Sequence, residues 1–176
     1  MTDIQPTVVN LDQAQEIDER EGAHWGGTCK IMTPSMRARG GSLGVNWIRL
    51  PPGRCGCPFH GHQREDEVFF VLSGRGVLRY GDTVQELRAG DCVSCPAGTE
   101  LAHQVGNPFD HDLVYLAIGP HDPHEVCFYP DSGKVMVRSL KRIGWLENVA
   151  YLEGEPDRPR LLDLANDLIR RPDNDP

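Results

Sequence analysis

From about residue 43 to residue 138 the chain alternates short apolar segments with turn-forming residues at close spacing. That pattern predicts an all-β sandwich or barrel. The predicted strands are Gly44–Leu50, Glu67–Leu72, Gly76–Tyr80, Thr83–Leu87, Asp91–Cys95, Leu101–Val105, Leu113–Ile118, Val126–Tyr129 and Lys134–Arg138. Gly81-Asp82 suits a tight hairpin turn, and Pro51-Pro52-Gly53, Ala89-Gly90 and Pro96-Ala97-Gly98 close other strands. Two segments, Val68–Leu72 and Leu113–Ile118, are apolar on both faces. A strand of that kind needs cover on each side. The arm, the C-terminal helix or another subunit could supply the outer layer. A partner subunit is the favoured source of part of it, so a homodimer is expected.

The flanks read differently. Residues 1–22 are polar, with Pro6 and an acid-rich run from Glu16 to Glu21, and form an N-terminal arm. The barrel occupies 23–140, with 33–42 as a loop of Pro, Gly and Ser character. Residues 141–176 form a C-terminal extension. Within it Leu161, Leu164, Ala165, Leu168 and Ile169 fall at helical spacing, predicting a helix over about 159–170. Asp157 can cap its start, Pro159 fits the first turn, and Pro172 stops it.

Composition narrows the function classes. The length of 176 residues favours one domain. No apolar run approaches the roughly 20 residues of a membrane helix. Met1–Asn10 shows neither a basic start nor an apolar stretch, so a cytoplasmic protein is expected. The net charge of −8 argues against nucleic acid as a partner. The basic clusters Arg37/Arg39, Lys141/Arg142 and Arg170/Arg171 read as solvated surface. The six cysteines read as free thiols. Cys92 and Cys95 sit three apart on a predicted strand and face opposite sides, which disfavours a shared metal. Cys57 lies near a histidine pair and can line the same site.

That pair opens the informative stretch, Pro58-Phe59-His60-Gly61-His62-Gln63-Arg64-Glu65-Asp66-Glu67. Two histidines separated by one residue share a strand face. Residues 63–66 suit a turn, and an antiparallel return brings Glu67 beside the imidazoles. A second stretch places His103 in an apolar alternation with Leu101 and Val105. A buried imidazole needs a partner. Taken alone, His103 reads better as a core histidine bonded to backbone than as a ligand. Glu65 and Asp66 could act as acid or base, but a solvated turn is the plainer reading. His121 and His124 read as loop surface, and His24 and His111 as strand-edge residues.

The two stretches resemble the two cupin motifs, G-x5-H-x-H-x3,4-E-x6-G and G-x5-P-x-G-x2-H-x3-N. His60, His62, Glu67 and Gly74 match the first, and Gly90, Pro96, Gly98, His103 and Asn107 match residues of the second. Gly53 stands one residue early, and four residues rather than two separate Gly98 from His103. An insertion of two preserves strand parity and predicts a larger loop at Thr99-Glu100. The resemblance is to small single-domain bacterial cupins, including the group loosely labelled sugar-phosphate-isomerase-like. It implies a jelly-roll barrel of the RmlC-like type. It also implies one divalent transition-metal ion per chain, held by His60, His62, Glu67 and His103. Such a ligand set suits Fe, Mn, Ni, Zn or Cu.

Trp47 and Arg49 share one face of the strand before the first motif. If that face points inward, Arg49 can hold a substrate carboxylate or phosphate, with Trp47 as a wall. The expected function is a metalloenzyme acting on a small polar molecule by oxygenase chemistry or by Lewis-acid isomerase or lyase chemistry. A non-catalytic binding or sensor protein is the alternative.

Overall fold

The computed structural model describes residues 7–38 and 42–169. Pro6, Arg39, Arg170, Arg171 and Pro172 lie outside the described residues, as do the side chains of Leu168 and Ile169. In chain order the elements are β1 (Ile17–Asp18), β2 (Thr28–Ile31), the helical turn α1 (Pro34–Arg37), β3 (Gly44–Leu50), β4 (Arg54–Cys55), β5 (Gly61–His62), β6 (Glu67–Ser73) and β7 (Arg75–Tyr80). There follow β8 (Thr83–Arg88), β9 (Cys92–Cys95), β10 (His103–Asn107), β11 (Leu113–Gly119), β12 (Val126–Tyr129), β13 (Lys134–Val137), β14 (Arg142–Gly144) and α2 (Arg160–Ile169). The described residues divide into two compact units, one ending at Trp145 and the other starting at Leu146.

The first unit is a set of antiparallel strands in three sheets. The largest runs β1-β2-β3-β11-β6-β9; the others run β4-β10-β7-β8 and β14-β13-β12-β5. Side-chain alternation explains why these strands form and what they enclose. On β6, Phe69 and Val71 point inward while Val68, Phe70 and Leu72 point outward; on β11, Leu113 and Tyr115 point inward. With Leu50, Leu78 and Val105 they make the core. The expected doubly apolar strands are present, and their outer face stays partly open: Phe70 is 38% exposed and Leu72 41%. The register sets Trp47, Leu116 and Phe70 in one row across that face.

The motif glycines, Pro96 and Asn107 shape turns. Gly74 has φ +81°, and an added Cβ would meet the Asp112 carbonyl at 2.1 Å, so only glycine fits. Asn107 is buried and its Nδ2 donates to the carbonyls of Leu50 and His111, both at 2.8 Å. Gly81-Asp82 forms the two-residue turn between β7 and β8. The two extra residues before His103 sit in a loop where Glu100 takes φ +60°.

Several expectations are revised. Leu101 is 46% exposed and precedes β10 instead of sharing its buried face with His103. The segment expected as a loop at 33–42 contains α1, with Pro34 at its first position, where a missing N–H is harmless. Strands β1, β2, β4, β5 and β14 carry no alternation long enough to read.

In the second unit α2 begins directly after Pro159, and Arg158 Nε donates to Asp163 Oδ1 at 2.8 Å. Leu161 and Leu164 are exposed. No helix among the described residues is long and apolar enough to cross a membrane.

Candidate metal centre

Three sheets contribute to one cluster. His60 and His103 form a backbone bridge, with His60 N donating to the His103 carbonyl at 3.1 Å and His103 N donating back at 2.7 Å. His62 lies on β5 opposite Cys127 of β12. Glu67 opens β6 opposite Cys95 of β9. The expected antiparallel return from β5 to β6 does not occur. Residues 63–66 carry the chain from one sheet to another, and Glu67 reaches the histidines across the interior.

One ligand atom from each of His60, His62, Glu67 and His103 lies within 4.8 Å of the others. His103 Nε2 is 2.9 Å from Glu67 Oε2, and His62 Nε2 is 3.4 Å from the same oxygen. His60 turns Nδ1 outward to the Pro58 carbonyl at 2.9 Å, with Cys57 Sγ at 3.6 Å. Donors on a common cation sit about 2.0–2.2 Å from it, so opposite donors stand up to roughly 4.4 Å apart. The cluster is near that span.

His62 Nε2 is buried and has no hydrogen-bond partner among the described residues. A buried polar atom left in that state is costly, and a cation would satisfy it. The electrostatics agree. Burial, then the neighbouring His103 and His62, pushes His60 down to about 4. Burial works against the Glu67 carboxylate, yet its hydrogen bond with His103 and the nearby His62 imidazole outweigh this and hold it at about 2. Burial likewise opposes charge on His62, but Cys127 and Glu67 outweigh it and push it up to about 10. A metal at this site would compete with a proton for the His62 nitrogen.

A cavity of about 240 Å³ reaches His60 and Glu67, with Cys57, Phe69, Tyr115 and Ile48 among its walls. It adjoins a wider recess of about 580 Å³ through Cys57, Gly56 and Glu19. Cys57 therefore stands at the site, where burial and then Glu67 push its thiol up to about 12.

Trp47 and Arg49 are not at this cavity. Ile48 is the β3 residue that lines it, on the same face as the core residue Leu50. Trp47 lies under Lys30 Nζ at 5.4 Å, and Arg49 donates to Glu16 at 2.6 Å on the outer surface. Strand parity allows only one of the two faces to line the interior. Glu65 also departs from expectation. It is buried, not a solvated turn residue, and accepts from both terminal nitrogens of Arg138, with Nη2 at 2.9 Å. Asp66 is exposed and accepts from Ala97 N. Cys92 is exposed and Cys95 buried, on opposite faces as their spacing implies. His121 and His124 are exposed.

Four residues beside the site carry little signal in the sequence. Glu125 and Arg138 lie far from the histidine motif along the chain, Cys127 looks like a core thiol, and Tyr115 reads only as part of an apolar strand.

Comparison with known proteins follows the same segment. The family profile described as a cupin domain matches residues 46–119. The oxalate-binding protein of Thermotoga maritima is 31% identical over 71 residues, which are 40% of this chain and 56% of that protein. The chain thus matches little more than half of that relative's length. A sugar phosphate isomerase of the cupin superfamily from Silicibacter pomeroyi shares 27% identity with TM-score 0.64, over 74% of this chain and 85% of that one. A cupin-2 domain from Rhodospirillum rubrum shares the fold at 19% identity and TM-score 0.54, over 65% and 74% of the two chains. The two motifs and the histidine–glutamate cluster thus fall within residues 46–119, the segment that matches a cupin domain.

Proposed function

We propose that this chain is a metalloenzyme. In this reading His60, His62, Glu67 and His103 hold one divalent transition-metal ion, and a small polar substrate binds in the adjoining cavity. The observation that carries the reading is the buried, unpartnered His62 Nε2 within a cluster of competent donors. Bound there, the ion would supply Lewis acidity or, if redox-active, oxygen chemistry. Four protein donors leave two positions open on an octahedral ion. The cavity meets the cluster at His60 and Glu67, where a ligand has access. Among the described residues lining it there is no arginine or lysine. A carboxylate, keto or sugar-like oxygen would therefore be anchored by the ion itself. Tyr115 supplies a hydroxyl to the wall, and Phe69 and Ile48 exclude water.

The names of the relatives, an oxalate-binding protein and a sugar phosphate isomerase, fit such oxygen-rich ligands. A binding or sensor role without turnover is the second reading, favoured by the oxalate-binding relative. Elemental analysis of the purified full chain is expected to find close to one Fe, Mn, Ni, Zn or Cu per chain. A chain that stays metal-free after equilibration with each of these ions would sink the reading. Turnover of candidate substrates with and without oxygen then separates oxygenase from Lewis-acid chemistry, and ligand binding without turnover would favour the sensor.

The partly open apolar face of Phe70, Leu72, Trp47 and Leu116 supports a homodimer. Light scattering at micromolar concentration is expected to give twice the 19.6 kDa chain mass. A monomer mass would remove this part of the proposal.

A further inference from the structure

We infer that Cys127 and Glu125 are positioning residues for the metal centre, holding His62 with its proton on Nδ1 and its Nε2 lone pair turned to the cation. This rests on the metal-binding reading above.

The two nitrogens of His62 face opposite surroundings. Nε2 looks toward Glu67 and has no hydrogen-bond partner among the described residues. Nδ1 lies 3.3 Å from Cys127 Sγ and 3.5 Å from Glu125 Oε1. A neutral imidazole carries one proton, and it resides on the nitrogen that finds an acceptor. The other nitrogen is then free to ligate. The Cys127 thiol in turn lies 3.8 Å from Glu125 Oε1, to which it donates. The relay runs from His62 Nδ1–H to Cys127 sulfur, and from the thiol proton to the Glu125 carboxylate.

The backbone enforces this arrangement. Cys127 is the register partner of His62 across β5 and β12, so strand pairing aligns thiol and imidazole. Glu125 is fully buried, and its two oxygens accept from Gln63 N at 2.9 Å and Arg64 N at 3.0 Å. Those are the two residues that follow His62, so one carboxylate holds both the ring and the chain that carries it. Among the described residues no lysine or arginine nitrogen lies within 4.0 Å of Glu125, while the His62 ring does. A carboxylate buried without a cation is costly. Orienting a metal ligand gives it a role that packing alone does not.

The test compares the full-length wild type with Cys127→Ala, Cys127→Ser and Glu125→Gln. The readouts are Zn(II) affinity by chelator competition, the visible spectrum of the Co(II)-loaded protein, and the melting temperature of the metal-free protein. Cys127→Ala is expected to weaken Zn(II) about 10- to 100-fold and to shift the Co(II) bands, the range seen when the outer partner of a ligand is lost. Cys127→Ser removes the same sulfur but restores a group that accepts from Nδ1–H and donates to Glu125, so it is expected to recover most of the affinity. Glu125→Gln is expected to weaken binding with Cys127 intact. Three results would overturn the inference. One is wild-type affinity and spectrum in Cys127→Ala. Another is Cys127→Ser as weak as Cys127→Ala, which would make the sulfur a packing element. The third is two Zn(II) per wild-type chain with one lost in Cys127→Ala, which would make Cys127 a ligand. A wild type that binds no Zn(II) or Co(II) overturns the metal reading itself, and this inference with it.

Discussion

Replacing His103 by alanine is expected to lower metal affinity by about 100-fold. Structural zinc sites with four donors are worth roughly 10–16 kcal/mol, so one donor carries about 3 kcal/mol, or about two powers of ten. His103 is the most deeply placed of the three imidazoles, at 2% exposure, so water has little room to replace it as a ligand. It also lies 2.9 Å from Glu67, and its loss frees that carboxylate to turn away from the cluster. His103→Gln, closer in volume, separates lost ligation from lost packing. It should keep more of the wild-type melting temperature while binding metal as poorly as the alanine variant. Chelator competition with Zn(II) on both variants is the measurement. Wild-type affinity in either one would remove His103 from the ligand set and return it to the role of a core histidine.

That second role is the one the sequence favours when His103 is considered alone, which shows where sequence reading reaches its limit. The long strands were legible because each is a run of at least four residues, alternating or apolar on both faces, set off by turn residues. Gly44–Leu50 and Val126–Tyr129 appear with the bounds their pattern predicts. The two-residue strands β1, β4 and β5 are held by their neighbours' ladders and leave no periodicity to detect. The four candidate ligands were legible because two motifs had to coincide. The inward face of β3 was not, since Trp47 and Ile48 are both apolar and only packing against β2 and β11 decides which turns inside. Glu65, Glu125, Cys127 and Arg138 were misread or missed for a different reason. Their partners are distant in sequence, with 73 positions separating Glu65 from Arg138. A charged residue in a polar loop looks solvated until its partner is known.

The Glu65–Arg138 pair yields the second large effect: Arg138→Ala is expected to destabilise the fold by about 3–5 kcal/mol. Glu65 is 5% exposed, and besides Arg138 it accepts one backbone bond, from Asp122 N at 2.5 Å. The guanidinium engages both carboxylate oxygens, and its Nη1 also donates to the Asp122 carbonyl at 2.7 Å. Removing it leaves a buried carboxylate with a single N–H donor and a carbonyl without its partner. For a chain of this size each kcal/mol corresponds to about 2–4 °C, so the melting temperature should fall by roughly 6–20 °C. Arg138→Lys should recover only part of this, because one ammonium cannot reproduce the two-pronged contact. Replacing both partners, as in Glu65→Leu with Arg138→Met, removes the stranded charge together with its partner and is expected to cost less than Arg138→Ala alone. Urea denaturation of the wild type, Glu65→Leu, Arg138→Met and the double variant closes the cycle that measures the coupling. A loss below about 1 kcal/mol in Arg138→Ala, the range of an exposed ion pair, would show that water reaches Glu65. The pair bridges the loop after His62 and the end of β13, so it fixes the loop that carries Gln63 and Arg64 onto Glu125. Metal affinity in Arg138→Ala should therefore fall as well, and by less than in His103→Ala, because every donor atom is still present.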